Sequence, residues 1–152
     1  MIEDLIKATS EELNAQVEFL ASTPVYWLAQ LLRDGRLRLM KGRITSTKAL
    51  GEQMTIFGDL GGILAPEEVG LDKYLVKQVR AVLMNESCKD VKSRQRFHTL
   101  VAELTADSLK PNITLLRDGR DIIYDGNKTA AAYHYVHISD ERIDLSVFVA
   151  EA

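Results

Sequence analysis

Residues 111–132, PNITLLRDGRDIIYDGNKTAAA, decide the fold. They read as strand, tight turn, strand, second turn, helix. Ile113 and Leu115 alternate with polar Asn112 and Thr114, the period-two pattern of a half-buried strand. Asp118-Gly119 signals a hairpin, because a type I′ turn needs positive φ and Asp-Gly tolerates it. Asp121 to Tyr124 return as a second strand built on Ile122 and Ile123. Asp125-Gly126 turns the chain again, and Asn127 to Ala132 open a helix from good helix formers. The first amides of a helix lack intrahelical acceptors. A start opened by glycine and bearing Lys128 is therefore suited to cradle a phosphate.

Each residue of that start has a chemical part to play. Gly126 lets the backbone come close to a phosphate, Lys128 supplies charge, and Asn127 and Thr129 offer hydrogen bonds. Asp125 either orients a water or a metal-bound phosphate, or simply caps the helix. Arg117 and Arg120 flank the hairpin turn and either reach the same ligand or lie in solvent. Read without a ligand, the same residues make a hairpin followed by a capped helix.

Pro111, Ile113, Gly119, Ile122, Ile123, Asp125, Gly126, Lys128, Ala131 and Ala132 follow a pattern that resembles the ParB/sulfiredoxin superfamily. The segment Ile143 to Val149 matches that family's last strand, and a helix from about Val91 to Ser108 matches the one leading into its motif. The resemblance covers roughly the last 60 of the 152 residues. It implies an α+β fold, a small mixed sheet with helices, over residues 36–152, with residues 1–35 as a helical extension. It also implies a nucleotide or nucleic-acid ligand, with a nucleoside triphosphate and Mg2+ as the expected cofactor. Asn127 stands where sulfiredoxin-type members carry cysteine, so thiol chemistry is not expected. Lys128 and Thr129 stand where ParB-type members carry arginine, and lysine cannot make the bidentate guanidinium fork. The chain ends soon after this unit, so the helical DNA-reading domain of chromosome-partition members is not expected.

Composition narrows the class. At 46% apolar and 27% charged residues, the chain is long enough to bury a real core. The single cysteine, Cys88, excludes a disulfide framework and a cysteine-based zinc site. No apolar run is long enough for a signal peptide or a membrane span, so a cytoplasmic protein without membrane contact is expected. The net charge of −3 averages over alternating blocks. Residues 33–48, with Arg36, Arg38 and Arg43, and residues 73–96, with Lys92, Arg94 and Arg96, each carry +5. Together these two blocks suggest an anion-binding or nucleic-acid-binding face. Alternatively their charges pair with acidic neighbours.

The remaining elements follow from local signals. Thr9-Ser10-Glu11-Glu12 matches a capping box ahead of Leu13, Val17 and Leu20. Thr23-Pro24 predicts a second helix, ended by Gly35, that forms an αα-hairpin with the first around Trp27. Residues 36–44, RLRLMKGRI, alternate basic and apolar as a strand, with Leu37, Leu39 and Ile44 inward. Residues 46–57 suggest a short helix, the GDLGG run at 58–62 a plain loop or else a phosphate loop or lid, and Pro66-Glu67-Glu68 another helix start. Phe97, Leu100, Val101 and Leu104 form the core face of the Val91 helix. His134 and His137 share a helix face, but no third ligand has metal spacing, and no metal is expected.

Three function classes fit. The first is a ParB-like module that binds phosphate. The second is a metal-dependent nuclease or a nucleotide-dependent phosphotransferase, with Asp125, Asp121 and Glu103 as candidate carboxylates. The third is a phage- or plasmid-type inhibitor that acts by capturing a protein partner.

Overall fold

The computed structural model describes residues 2–57 and 73–152. They form one mixed α+β unit around a seven-stranded sheet of order β1-β2-β7-β5-β6-β3-β4. The strands are β1 (Glu3–Lys7), β2 (Arg38–Ser46), β3 (Met54–Ile56), β4 (Lys73–Leu75), β5 (Thr114–Arg117), β6 (Asp121–Asp125) and β7 (Arg142–Glu151). The helices are α1 (Ser10–Ala21), α2 (Tyr26–Arg33), α3 (Thr47–Glu52), α4 (Val76–Met84), α5 (Val91–Thr105) and α6 (Asn127–Val136). Parallel pairs β5·β7 and β6·β3 alternate with antiparallel ones. The GDLGG run and the helix start at Pro66 lie outside the described residues.

Alternation along β7 sorts the chain into layers. Leu145, Val147 and Val149 face one core with Ile44, Leu50, Ile113, Leu115, Ile123 and Ala130. Ala150 and the half-buried Phe148 face the other, formed with Leu20, Leu28, Leu32 and Leu39 by α1 and α2. A third cluster joins α4, α5 and α6 through Val79, Leu83, Phe97, Leu100, Ala131 and Ala132. Helix α6 is thus buried on two sides. Its consecutive alanines let the sheet and α5 approach it closely.

The N-terminus is more than a helical hairpin. The strand β1, for which the sequence gives no clear signal, hydrogen-bonds to β2 at the sheet edge. The capping box of α1 forms as expected: Glu12 N–H donates to Thr9 Oγ1 at 3.1 Å, and Thr9 N–H donates to Glu12 Oε1 at 2.9 Å. Helix α2 starts at Tyr26, after a turn closed by Tyr26 N–H donating to the Thr23 carbonyl. Trp27 does not pack between α1 and α2. It meets Tyr124 of β6 edge-on, with ring centroids 5.6 Å apart.

The deciding stretch folds in the predicted order, with two differences. Thr114 is fully buried, because β5 is an interior strand covered on both faces. Gln16 of α1 satisfies it, donating from Nε2 to Thr114 Oγ1 at 2.7 Å and to Asn112 Oδ1 at 2.9 Å. The hairpin is not type I′. Arg117 pairs with Asp121, so the loop has three residues, and Gly119 alone carries positive φ, at +72°. That is the three-residue loop with glycine in the left-handed position.

Gly126 also has φ of +88°, and it lies against the chain leading into β5. A Cβ there would come within 2.6 Å of the Asn112 carbonyl oxygen and 3.0 Å of Ile113 Cα. Glycine is therefore required by the turn and by backbone-to-backbone packing, independently of any ligand. Gly126→Ala is expected to cost roughly 1–3 kcal/mol from left-handed strain, with the clash adding to it. Urea unfolding would read this as a lowered midpoint at unchanged slope; an unshifted midpoint would contradict the packing described.

Candidate phosphate site at the start of helix α6

The start of α6 opens onto a cavity of about 470 Å³. Its wall gathers Asp125, Gly126, Asn127, Lys128 and Thr129 with Arg96 and Leu100 of α5, Leu109, Lys110 and Asn112 of the connection into β5, and Phe19 of α1. The lining is both basic and apolar. Three cations (Arg96, Lys110 and Lys128) line it, as do Phe19, Leu100 and Leu109.

Local structure sets these side chains. Gly126 is the N-cap of α6 and has no side chain to accept from the first turn. Asn127 is already engaged on both ends of its amide. Its Oδ1 accepts from Lys128 N–H at 2.8 Å, and its Nδ2 donates to the Ile56 carbonyl of β3 at 2.7 Å. Asn127 therefore ties α6 to the sheet and is not a free ligand-binding amide. Among the described residues Lys128 makes no ion pair within 4 Å, yet its field helps hold the Asp90 carboxyl low, after the hydrogen bonds from Ser93. Asp90 caps α5, accepting from Ser93 N–H at 3.0 Å. The starts of α5 and α6 thus lie close together, and Lys92 acts on the same carboxylate.

Asp125 is half-buried at the end of β6. Burial pushes its carboxyl up from the usual aspartate range. Among the described residues it has no hydrogen-bond or ion-pair partner. A desolvated, unpaired carboxylate in a cavity is the kind of group that functional sites collect. Lys110 and Asn112 join the cavity although the sequence marked neither. Their only signal was position, in the segment that leads into β5.

Other predicted residues lie elsewhere. Arg117 and Arg120 sit at the turn end of the hairpin, and β6 places that end roughly 13 Å from Asp125. Arg117 grips Asp121 with two hydrogen bonds, of 2.6 and 2.9 Å, and approaches Glu151 at 3.9 Å. Arg120 lines a separate cavity beside α3 with Lys48 and Glu52. On β2, Arg43 bonds Asp4 at 2.6 Å and Asp144 at 3.2 Å, and Arg38 lies 3.4 Å from Glu151. Arg36 is exposed ahead of β2. Of the second basic block, Arg96 reaches the cavity and lies 3.8 Å from Glu103. Arg94 has its Nε buried without a partner.

His134 is buried with Nδ1 unpaired, and its ring lies where a Cβ on Gly51 would be, 2.7 Å from Nε2. Burial, then the charges of Arg80 and Lys77, lower its pKa to about 4. His137 instead bonds Asp140 from the helix end, at 2.9 Å. Among the described residues, no three His, Cys, Asp or Glu side chains group as a metal ion would need. No helix among them is long and apolar enough to cross a membrane.

The raised Asp125 pKa has a signed consequence. In the unfolded chain this carboxyl ionises near 3.8, whereas in the native state it keeps its proton to higher pH. The folded state then binds the extra proton, so stability falls as pH rises from 3.8 through the native value. Asp125→Asn is expected to raise the melting temperature at pH 7, with the gain vanishing below pH 3.8. An equal gain at both pH values would contradict desolvation as the cause.

In comparisons with known proteins, the chain matches no family model, no curated protein and no solved structure.

Proposed function

We propose that the chain binds a phosphate-bearing ligand, a nucleotide or a nucleic-acid phosphate, at the start of α6. One observation carries this reading: Arg96, Lys110 and Lys128 line one cavity at a helix start whose N-cap is glycine, where Asn127 takes the Lys128 amide and, among the described residues, no side chain caps the rest of the first turn. Amides and lysine together favour an anion there. Phe19, 42% exposed, and Leu109 offer the apolar surface on which a base would lie. The ParB/sulfiredoxin-like pattern of the same residues supports the same ligand class. The role given to Arg117 and Arg120 in the sequence reading passes to Arg96 and Lys110.

A second reading makes the site an enzyme that transfers or hydrolyses phosphate. The unpaired carboxyl of Asp125 favours it, because burial raises its basicity toward that of a general base. A nucleoside triphosphate with Mg2+ would be the substrate complex, the ion reaching the site on the phosphates.

A thermal-shift screen of ATP, CTP, GTP, ADP and inorganic phosphate, with and without Mg2+, tests the binding reading. A ligand at a hundred times its Kd adds about 2.7 kcal/mol to stability. At least one nucleotide is expected to raise the melting temperature of the wild type and to do so far less for Lys128→Ala and Arg96→Ala. No shift with any of them, nor with single-stranded DNA or RNA at low salt, would overturn it. Turnover that is lost in Asp125→Ala while binding survives would select the enzyme.

A further inference from the structure

A second cavity, of about 620 Å³, lies on the other side of the Lys110–Asn112 segment, between α1 and the sheet. It is larger than the site at α6, and its size falls in the range of small-molecule pockets. Ile6, Ala15, Pro111 and Phe148 give it an apolar lining, and Ile6 remains 58% exposed there. One face of α1 serves both cavities. Ala15 and Gln16 look into this one, and Phe19, one turn on, looks into the other.

Its cations differ in what holds them. Lys41 is held by Glu12 at 2.7 Å, a contact that helps lower the Glu12 carboxyl to about 2. Arg43 is held by Asp4 at 2.6 Å and Asp144 at 3.2 Å. Lys110 alone among the lining cations has no carboxylate of the described residues within ion-pair distance. An apolar recess with one uncompensated ammonium at its edge complements a molecule with an apolar body and a single negative end. A single free ammonium matches one negative charge, and a phosphate ester of higher charge would leave the rest unmet.

We propose that the cavity between α1 and the sheet binds a small amphipathic carboxylate, its apolar body on Ile6, Ala15 and Phe148 and its carboxylate on Lys110. This site stands apart from the phosphate site, although Lys110 lines both. Occupation of one therefore competes with the other for that ammonium.

Calorimetric titration of the full chain with decanoate, and with decanol as the uncharged counterpart, tests the proposal. Decanoate is expected to bind at one per chain. An ion pair to an exposed lysine contributes up to about 1 kcal/mol, so Lys110→Ala is expected to weaken it up to about fivefold. Ala15→Trp, which fills the recess from an exposed helix position, is expected to abolish binding. Arg96→Ala, confined to the α6 cavity, is expected to leave it unchanged. Ala15 and Lys110 are both exposed, and melting curves would confirm that the variants fold. Absence of decanoate binding to the wild type would overturn the proposal. So would decanol binding as tightly as decanoate, or decanoate binding undiminished in Lys110→Ala or Ala15→Trp.

Discussion

The close approach of Gly126 to the Asn112 carbonyl is the contact on which the rest depends. It lets β6 end and α6 begin directly against the chain entering β5. From there Ala130 faces the sheet core, while Ala131 and Ala132 face α4 and α5. Any Cβ at 126 would push the helix away from all of these at once. The side chain of Asn127 completes the seat by reaching the Ile56 carbonyl of β3. Both cavities border the segment that Gly126 touches, so the position of α6 sets the geometry of each.

Which cations are free matters more than how many there are. Exposed ion pairs contribute about 0–1 kcal/mol, so the pairs on β2 add little stability. They do occupy Arg38 and Arg43, whose charge is then met by Glu151, Asp4 and Asp144. Among the described residues, Lys110 and Lys128 have no such partners, and Arg96 has only Glu103 at 3.8 Å. Positive potential therefore concentrates at the start of α6 and along the segment before β5, even though the chain as a whole carries −3. Asp90 tempers it through Lys128, and Asp125 stands inside it with its own charge disfavoured by burial.

Local chemistry was legible in the sequence wherever neighbours in the chain decide structure. The capping box at Thr9, the glycine turn before α6 and the helix from Val91 all follow from residues within a few positions of each other. What depended on distant contacts was not legible. Thr114 reads as a solvent-facing residue until Gln16, 98 positions away, covers it. The strand β1 has a charged, edge-strand sequence whose only strong cue is its pairing with β2. The pentapeptide Leu-Arg-Asp-Gly-Arg ends a helix at 32–36 and makes a hairpin loop at 116–120, so its local turn chemistry is shared and its setting is not. Of the cavity at the start of α6, the stretch from Asp125 to Thr129 is contiguous in sequence. Proximity in sequence pointed to Arg117 and Arg120, whereas the run of β6 carries them to the far end of the hairpin.

The most direct measurement is a nitrogen–proton correlation spectrum of the labelled chain, recorded as ATP with Mg2+ and then inorganic phosphate are added. A phosphate cradle at the start of α6 predicts that the amides of Gly126 to Thr129, with Lys110 and Asn112, move first and saturably. Saturable shifts confined to Arg36, Arg38 and Arg43 on and before β2, with the α6 start unmoved, would contradict it.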